Sequence, residues 1–125
     1  MDKDQDLAAT GDLARARLLD VGAKDLPPRP WQHQSQPLAD LDLVRYAAWI
    51  ARMPDAEPGL VRAGISLLES ARAELDQIEA ALLFAARAAG MTYPELAAAL
   101  GLRSAQAAQQ RLSRVASRVE SGAGA

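Results

Sequence analysis

Cysteine is absent from the 125-residue chain, and histidine occurs once, at His33. The first absence excludes a disulfide scaffold, thiolate zinc sites and a cysteine nucleophile. The second leaves too few parts for a histidine-based triad or a multi-histidine metal site. His33 stands in a proline-bearing linker with no ligand partner near it in the sequence. Aromatic residues are few: Trp31, Tyr46, Trp49, Phe84 and Tyr93. Valine and isoleucine are also scarce, which argues against a sheet. No apolar run approaches the roughly 18 residues that a membrane span needs. The first residues, Met1-Asp2-Lys3-Asp4-Gln5-Asp6, are acidic and polar and do not read as a signal peptide, so a soluble cytoplasmic protein is expected. There is no glycine-rich phosphate loop. Carboxylate pairs such as Glu69 with Glu74, or Glu74 with Asp76, fall on a helix expected to be exposed and have salt-bridging partners at helical spacing (Arg72 with Asp76). An enzyme is therefore not expected, and no catalytic residue, metal or cofactor is assigned.

What the chain does have is alanine, 28 residues, and leucine, 18. Both favour helix and give a core of small apolar side chains. The length suits one domain with a small appendage. Twelve arginines against two lysines, with so much alanine, match the coding bias of a GC-rich bacterial genome. The net charge of −2 conceals an asymmetry. Residues 1–84 carry nine basic and fourteen acidic side chains, a balance of −5, whereas residues 85–125 carry five arginines and two glutamates, a balance of +3. From Gly101 to Val119 there are four arginines and no acid. Such a local field matters more to a polyanion than the sum over the chain.

Along the chain, Leu7–Val21 reads as a short helix with an incomplete leucine stripe, starting at Asp4 or, past the Thr10-Gly11-Asp12 interruption, at Asp12; Gly22 ends it. Pro27, Pro28, Pro30 and Pro37 make residues 24–37 an extended linker, with Trp31 expected to anchor on the core. Asp40 is placed to cap a helix over Leu41–Arg52, which Met53-Pro54-Asp55 stops. A helix starting at Glu57-Pro58 can then run to Ala89, roughly 45 Å at 1.5 Å per residue. Its apolar residues recur mostly at steps of three and four, forming a seam of Val61, Ile65, Leu68, Ala71, Leu75, Ile78, Leu82, Ala85 and Ala89, with Leu60, Leu67 and Leu83 off it. A helix of that length cannot bury both faces within so short a chain. Val61, Ile65, Leu68, Leu75, Ile78 and Leu82 are therefore expected to meet a second copy in a homodimer.

The last part of the chain carries the clearest pattern. Gly90 closes the long helix as a left-handed residue, and Thr92 opens a two-turn helix with Pro94 in its first turn and Glu95 completing a capping box. Gly101 supplies the positive φ of a tight turn, and Ser104 caps the next helix. Short helix, glycine turn, second helix is the helix-turn-helix pattern. In the second helix Ala105, Ala108, Leu112, Val115 and Val119 form the inward stripe. The opposite face reads Gln106, Gln110, Ser113 and Ser117, with Gln109 alongside, and Arg103, Arg111, Arg114 and Arg118 flank it near Ala107. Glutamine pairs bidentately with adenine, arginine holds phosphates and sets register, and a small alanine lets the backbone approach a thymine methyl.

Residues 78–115 resemble small bacterial helix-turn-helix transcriptional regulators common in actinomycetes. The resemblance rests on Ala86-Arg87, Ala89-Gly90, Thr92-Tyr93, Glu95-Leu96-Ala97, Leu100-Gly101, Ser104, Gln106-Ala107-Ala108 and Gln110-Arg111. Tyr93 stands where the family has tryptophan, Thr92 where it has serine, and Arg103 makes the turn one residue longer than the family's shortest form. The likeness covers about a third of the chain and implies sequence-specific binding of double-stranded DNA, usually as a dimer, with the second helix as reader.

The expectation is thus an all-α protein in which a long helix leads into a C-terminal helix-turn-helix. The expected parts are an N-terminal arm with a short helix and proline-rich linker (1–37), a helical dimerisation region (38–89), a DNA-binding region (90–120) and a disordered tail (121–125). The expected DNA-contacting residues are Arg103, Ser104, Gln106, Ala107, Gln109, Gln110, Arg111, Ser113, Arg114 and Arg118. The expected function is a dimeric, nucleoid-associated transcriptional regulator. The competing expectation is a helical protein-interaction module of sigma-factor accessory or antagonist type, docking a partner through its acidic N-terminal part without touching DNA.

Overall fold

The computed structural model describes residues 2–32 and 36–123; His33 lies outside them. Among the described residues the chain is all-helical, with six α-helices, one 3-10 turn and no strand. None of these helices is long and apolar enough to cross a membrane. The chain divides between Arg72 and Ala73 into two compact units.

The first unit is built from α1 (Lys3–Val21), α2 (Asp40–Ile50), α3 (Pro58–Ser66) and the first turn of α4 (Leu68–Ala88). Asp2 caps α1, its Oδ1 accepting from the Asp4 amide at 2.9 Å, so the helix starts earlier than either expected position and runs unbroken through Gly11. The core joins Ala14 and Leu18 of α1, Ala23, Leu43 and Ala47 of α2, and Leu60, Ala63 and Leu67. The segment expected as an arm therefore supplies one wall of the core. Four of those eight residues are alanine, which lets the helices approach closely. At Gly64 the α2–α3 approach leaves no room for a side chain: a Cβ there would lie 2.5 Å from the Ala47 Cβ.

Three further expectations fail in this unit, two of them where a long-range contact enters. Asp40 does not cap α2; Ala39 holds that position without a side-chain hydrogen bond. Asp40 is instead buried, receiving a bidentate pair from Arg15 (Nε to Oδ1 2.7 Å, Nη2 to Oδ2 2.9 Å) and a hydrogen bond from the Ser70 hydroxyl. Trp31 does not anchor on the core and is 79 % exposed. The single helix expected from Pro58 to Ala89 is two helices, interrupted at Leu67 with φ −97° and ψ 0°. The break has a local cause and a tertiary one. The Ser66 hydroxyl donates back to the Arg62 carbonyl at 3.0 Å, a bond that bends helices, and the next side chain, Leu67, turns into the core.

The second unit contains the rest of α4, then α5 (Tyr93–Leu100) and α6 (Ala105–Ala123). Its core is Ala80, Leu83, Leu96, Ala97, Ala108 and Val115, rimmed by Leu100, Leu102, Leu112, Val119 and others. α6 continues through Ala123, so helix covers the first three residues of the expected tail. The seam residues Ile65, Leu75, Ile78 and Leu82 are exposed, Leu75 by 52 % and Leu82 by 66 %, while the off-seam residues Leu60, Leu67 and Leu83 fill the cores.

Candidate nucleic-acid interface

Two turns of the same construction aim α5 and α6. At the end of α4 the Met91 amide donates to the Ala86 carbonyl at 3.0 Å and the Gly90 amide to Arg87 at 3.0 Å, with Gly90 at φ +92°. At the end of α5 the Leu102 amide donates to Ala97 at 2.8 Å and the Gly101 amide to Ala98 at 3.2 Å, with Gly101 at φ +72°. Both are Schellman ends, in which a left-handed glycine turns the chain back to satisfy the last carbonyls. Between them the expected capping box of α5 is present, Glu95 N–H to Thr92 Oγ1 and Thr92 N–H to the Glu95 carboxylate, each at 3.2 Å. Ser104 Oγ accepts from the Ala107 amide at 3.1 Å and so caps α6. Arg87 braces the first turn, donating to the Met91 carbonyl at 2.7 Å while its guanidinium lies 4.1 Å from the Tyr93 ring centre.

With α6 fixed this way, Ala108 and Val115 are sealed inward and the opposite face is open. Gln106, Gln109, Gln110, Ser113 and Arg114 are all exposed and line one shallow depression. Arg103, Ser104 and Arg118 are exposed as well, and Ala107 is half-buried on the flank. The ten residues expected to touch DNA thus all lie on α6 or the turn before it, and the five in the depression share one surface.

The arginines divide into two classes that spacing alone did not separate. Arg111 makes a two-pronged ion pair with Glu79 on α4, Nη2 to Oε1 at 2.8 Å and Nε to Oε2 at 3.3 Å. The Glu79 carboxylate raises the Arg111 pKa further above its ordinary value, first through that hydrogen bond and then through its charge. Arg118 is held likewise by Asp76, at 3.1 and 3.2 Å. Arg103 and Arg114 make no ion pair among the described residues. Sequence reading missed Glu79 and Asp76 as partners. The available signal was weak: two acids three apart on one helix facing two arginines seven apart on another. Their effect on charge is large. From residue 73 onward Arg87, Arg103, Arg111, Arg114 and Arg118 are balanced by Glu74, Asp76, Glu79, Glu95 and Glu120, so the second unit is neutral and its positive face is local.

Among the described residues no group of three or more His, Asp or Glu is placed to hold a metal ion. Comparison with protein-family models, with curated proteins and with solved structures finds no match to this chain.

Proposed function

We propose that the chain is a dimeric transcriptional regulator that binds double-stranded DNA through a helix-turn-helix formed by α5, the Gly101 turn and α6. One observation carries this reading. The outward face of α6 holds exposed amides and hydroxyls bordered by the unpaired Arg103 and Arg114, and no acid occurs between Gly101 and Val119. Laid in a major groove, α6 would read bases with Gln106, Gln109 and Gln110, and Arg103 and Arg114 would hold phosphates along the Ala107 flank. Arg111 and Arg118 would act from the flank, keeping α6 seated on α4 until a phosphate competes for them. The open strip of Leu75, Ile78 and Leu82 would pair two copies and thereby set the spacing of two readers. Selection of bound sequences from a random DNA pool tests the reading. A two-fold symmetric consensus is expected, and recovery of an unenriched pool overturns it.

The neutrality of the second unit favours one other reading, a protein-interaction module that presents the same surface to a protein. It predicts no retention of genomic DNA fragments even at low salt, where electrostatic binding is strongest.

A further inference from the structure

The first unit holds a cavity that the DNA reading does not use. It has a volume of about 390 Å³, lies between the proline-bearing segment after α1 and the outer face of α2, and falls within the size range of small-molecule sites. One wall is Pro27, Pro28 and Pro30, whose rings fix φ and keep the wall from collapsing when empty. The other wall is aromatic. Tyr46 and Trp49 have ring centres 5.8 Å apart and planes inclined by 43°. Tyr46 is pinned from behind: its hydroxyl sits where a side chain on residue 22 would go, and only Gly22, at φ +149°, leaves that room. Trp49 is 54 % exposed and offers its ring as a platform.

Three charged groups line the cavity. Arg29 Nη2 donates to Asp42 Oδ1 at 3.3 Å, so those two neutralise each other. Arg45 is exposed and makes no ion pair among the described residues, which leaves one surplus positive charge. A rigid apolar slot, an aromatic platform and a single free guanidinium define a ligand by complementarity. It is flat, aromatic and singly anionic, and a carboxylate matches the two-pronged geometry of arginine.

We propose that this cavity binds a small planar aromatic monocarboxylate, stacked on Trp49 with its carboxylate held by Arg45. The inference stands independently of DNA binding. The full chain is titrated with 2-naphthoate while the indole and arginine side-chain N–H signals are followed by NMR, with 2-naphthamide as the uncharged analogue and hexanoate as the ringless one. The expected outcome is saturable shifts at Trp49 and Arg45, with naphthoate about tenfold tighter than either analogue. Arg45→Gln, a change at an exposed position, is expected to erase the advantage of the acid over the amide, and Trp49→Ala to weaken naphthoate about fivefold, both with unchanged helical circular dichroism. The proposal is overturned if naphthoate moves neither signal up to about 5 mM, if the amide binds as well as the acid, or if neither substitution changes the affinity.

Discussion

The division of the α6 arginines into free and paired gives a quantitative expectation for salt dependence. Each phosphate neutralised on duplex DNA contributes about −0.9 to the slope of log K against log salt. On α6 and its leading turn Arg103 and Arg114 make no ion pair among the described residues, two per copy and four in the proposed dimer, which gives a slope of about −3.6 on the proposed DNA-binding mode. Between roughly 50 and 200 mM salt that slope lowers affinity by about 150-fold. Arg114→Ala in both copies would leave a slope of about −1.8 and a loss of about 12-fold over the same range. If Arg111 and Arg118 also left Glu79 and Asp76 for phosphates, the wild-type slope would instead approach about −7. Fluorescence anisotropy with a labelled duplex across a salt series reads all three cases. An Arg114→Ala slope equal to that of the wild type would refute the assignment of Arg114 to the backbone, whatever the absolute affinity.

Other consequences are open to measurement. Gln106→Ala or Gln110→Ala is expected to cost about 1–3 kcal/mol on the preferred sequence and nothing on unrelated DNA, as read by competition binding. On the proposed pairing, the wild type should sediment as a dimer and Leu75→Glu combined with Leu82→Glu as a folded monomer, because both side chains are exposed within one copy; a monomeric wild type, or a double variant that stays dimeric, refutes this pairing. Arg15 and Ser70 hold the Asp40 carboxyl below its ordinary pKa of 3.8, with the Arg15 hydrogen bond the larger effect. The stability this contributes is fully present above 3.8 and is lost as pH falls through the depressed value, so the melting-temperature advantage of the wild type over Asp40→Asn should shrink as pH is lowered below 3.8. Gly64→Ala drives a Cβ to 2.5 Å from the Ala47 Cβ and should destabilise by about 1–3 kcal/mol, whereas Gly101→Ala meets no neighbouring atom and should cost only the strain of positive φ, about 1–2 kcal/mol, by chemical denaturation.

The parts of the fold that could be read from the sequence are those decided within a few residues. Thr92, Glu95, Gly101 and Ser104 each act on amides or φ angles close to themselves, and α5, its turn and the start of α6 lie where those residues placed them. The inward stripe of α6 was readable for the same reason, since one helical period determines it. Two misreadings arose where a distant residue intervened. Asp40 looked like a cap until Arg15, twenty-five positions earlier, claimed its carboxylate. The run from Pro58 to Ala89 looked continuous because nothing local reveals that Leu67 belongs to a core shared with α1 and α2. The candidate interface divides in the same way: the exposed face was legible from periodicity, but the pairing of Arg111 and Arg118 depends on how α4 and α6 lie against each other.

The core of the second unit has a further consequence. Three of its six buried residues, Ala80, Ala97 and Ala108, are methyl-bearing only, so little hydrocarbon leaves water when this small assembly forms. Its folded population is correspondingly sensitive to anything that grips the native form. A ligand at 100 times its Kd adds about 2.7 kcal/mol, a large fraction of what so slight a nucleus holds unaided. Thermal denaturation of this part of the chain should therefore report occupancy: a bound macromolecule would be registered first as heat resistance.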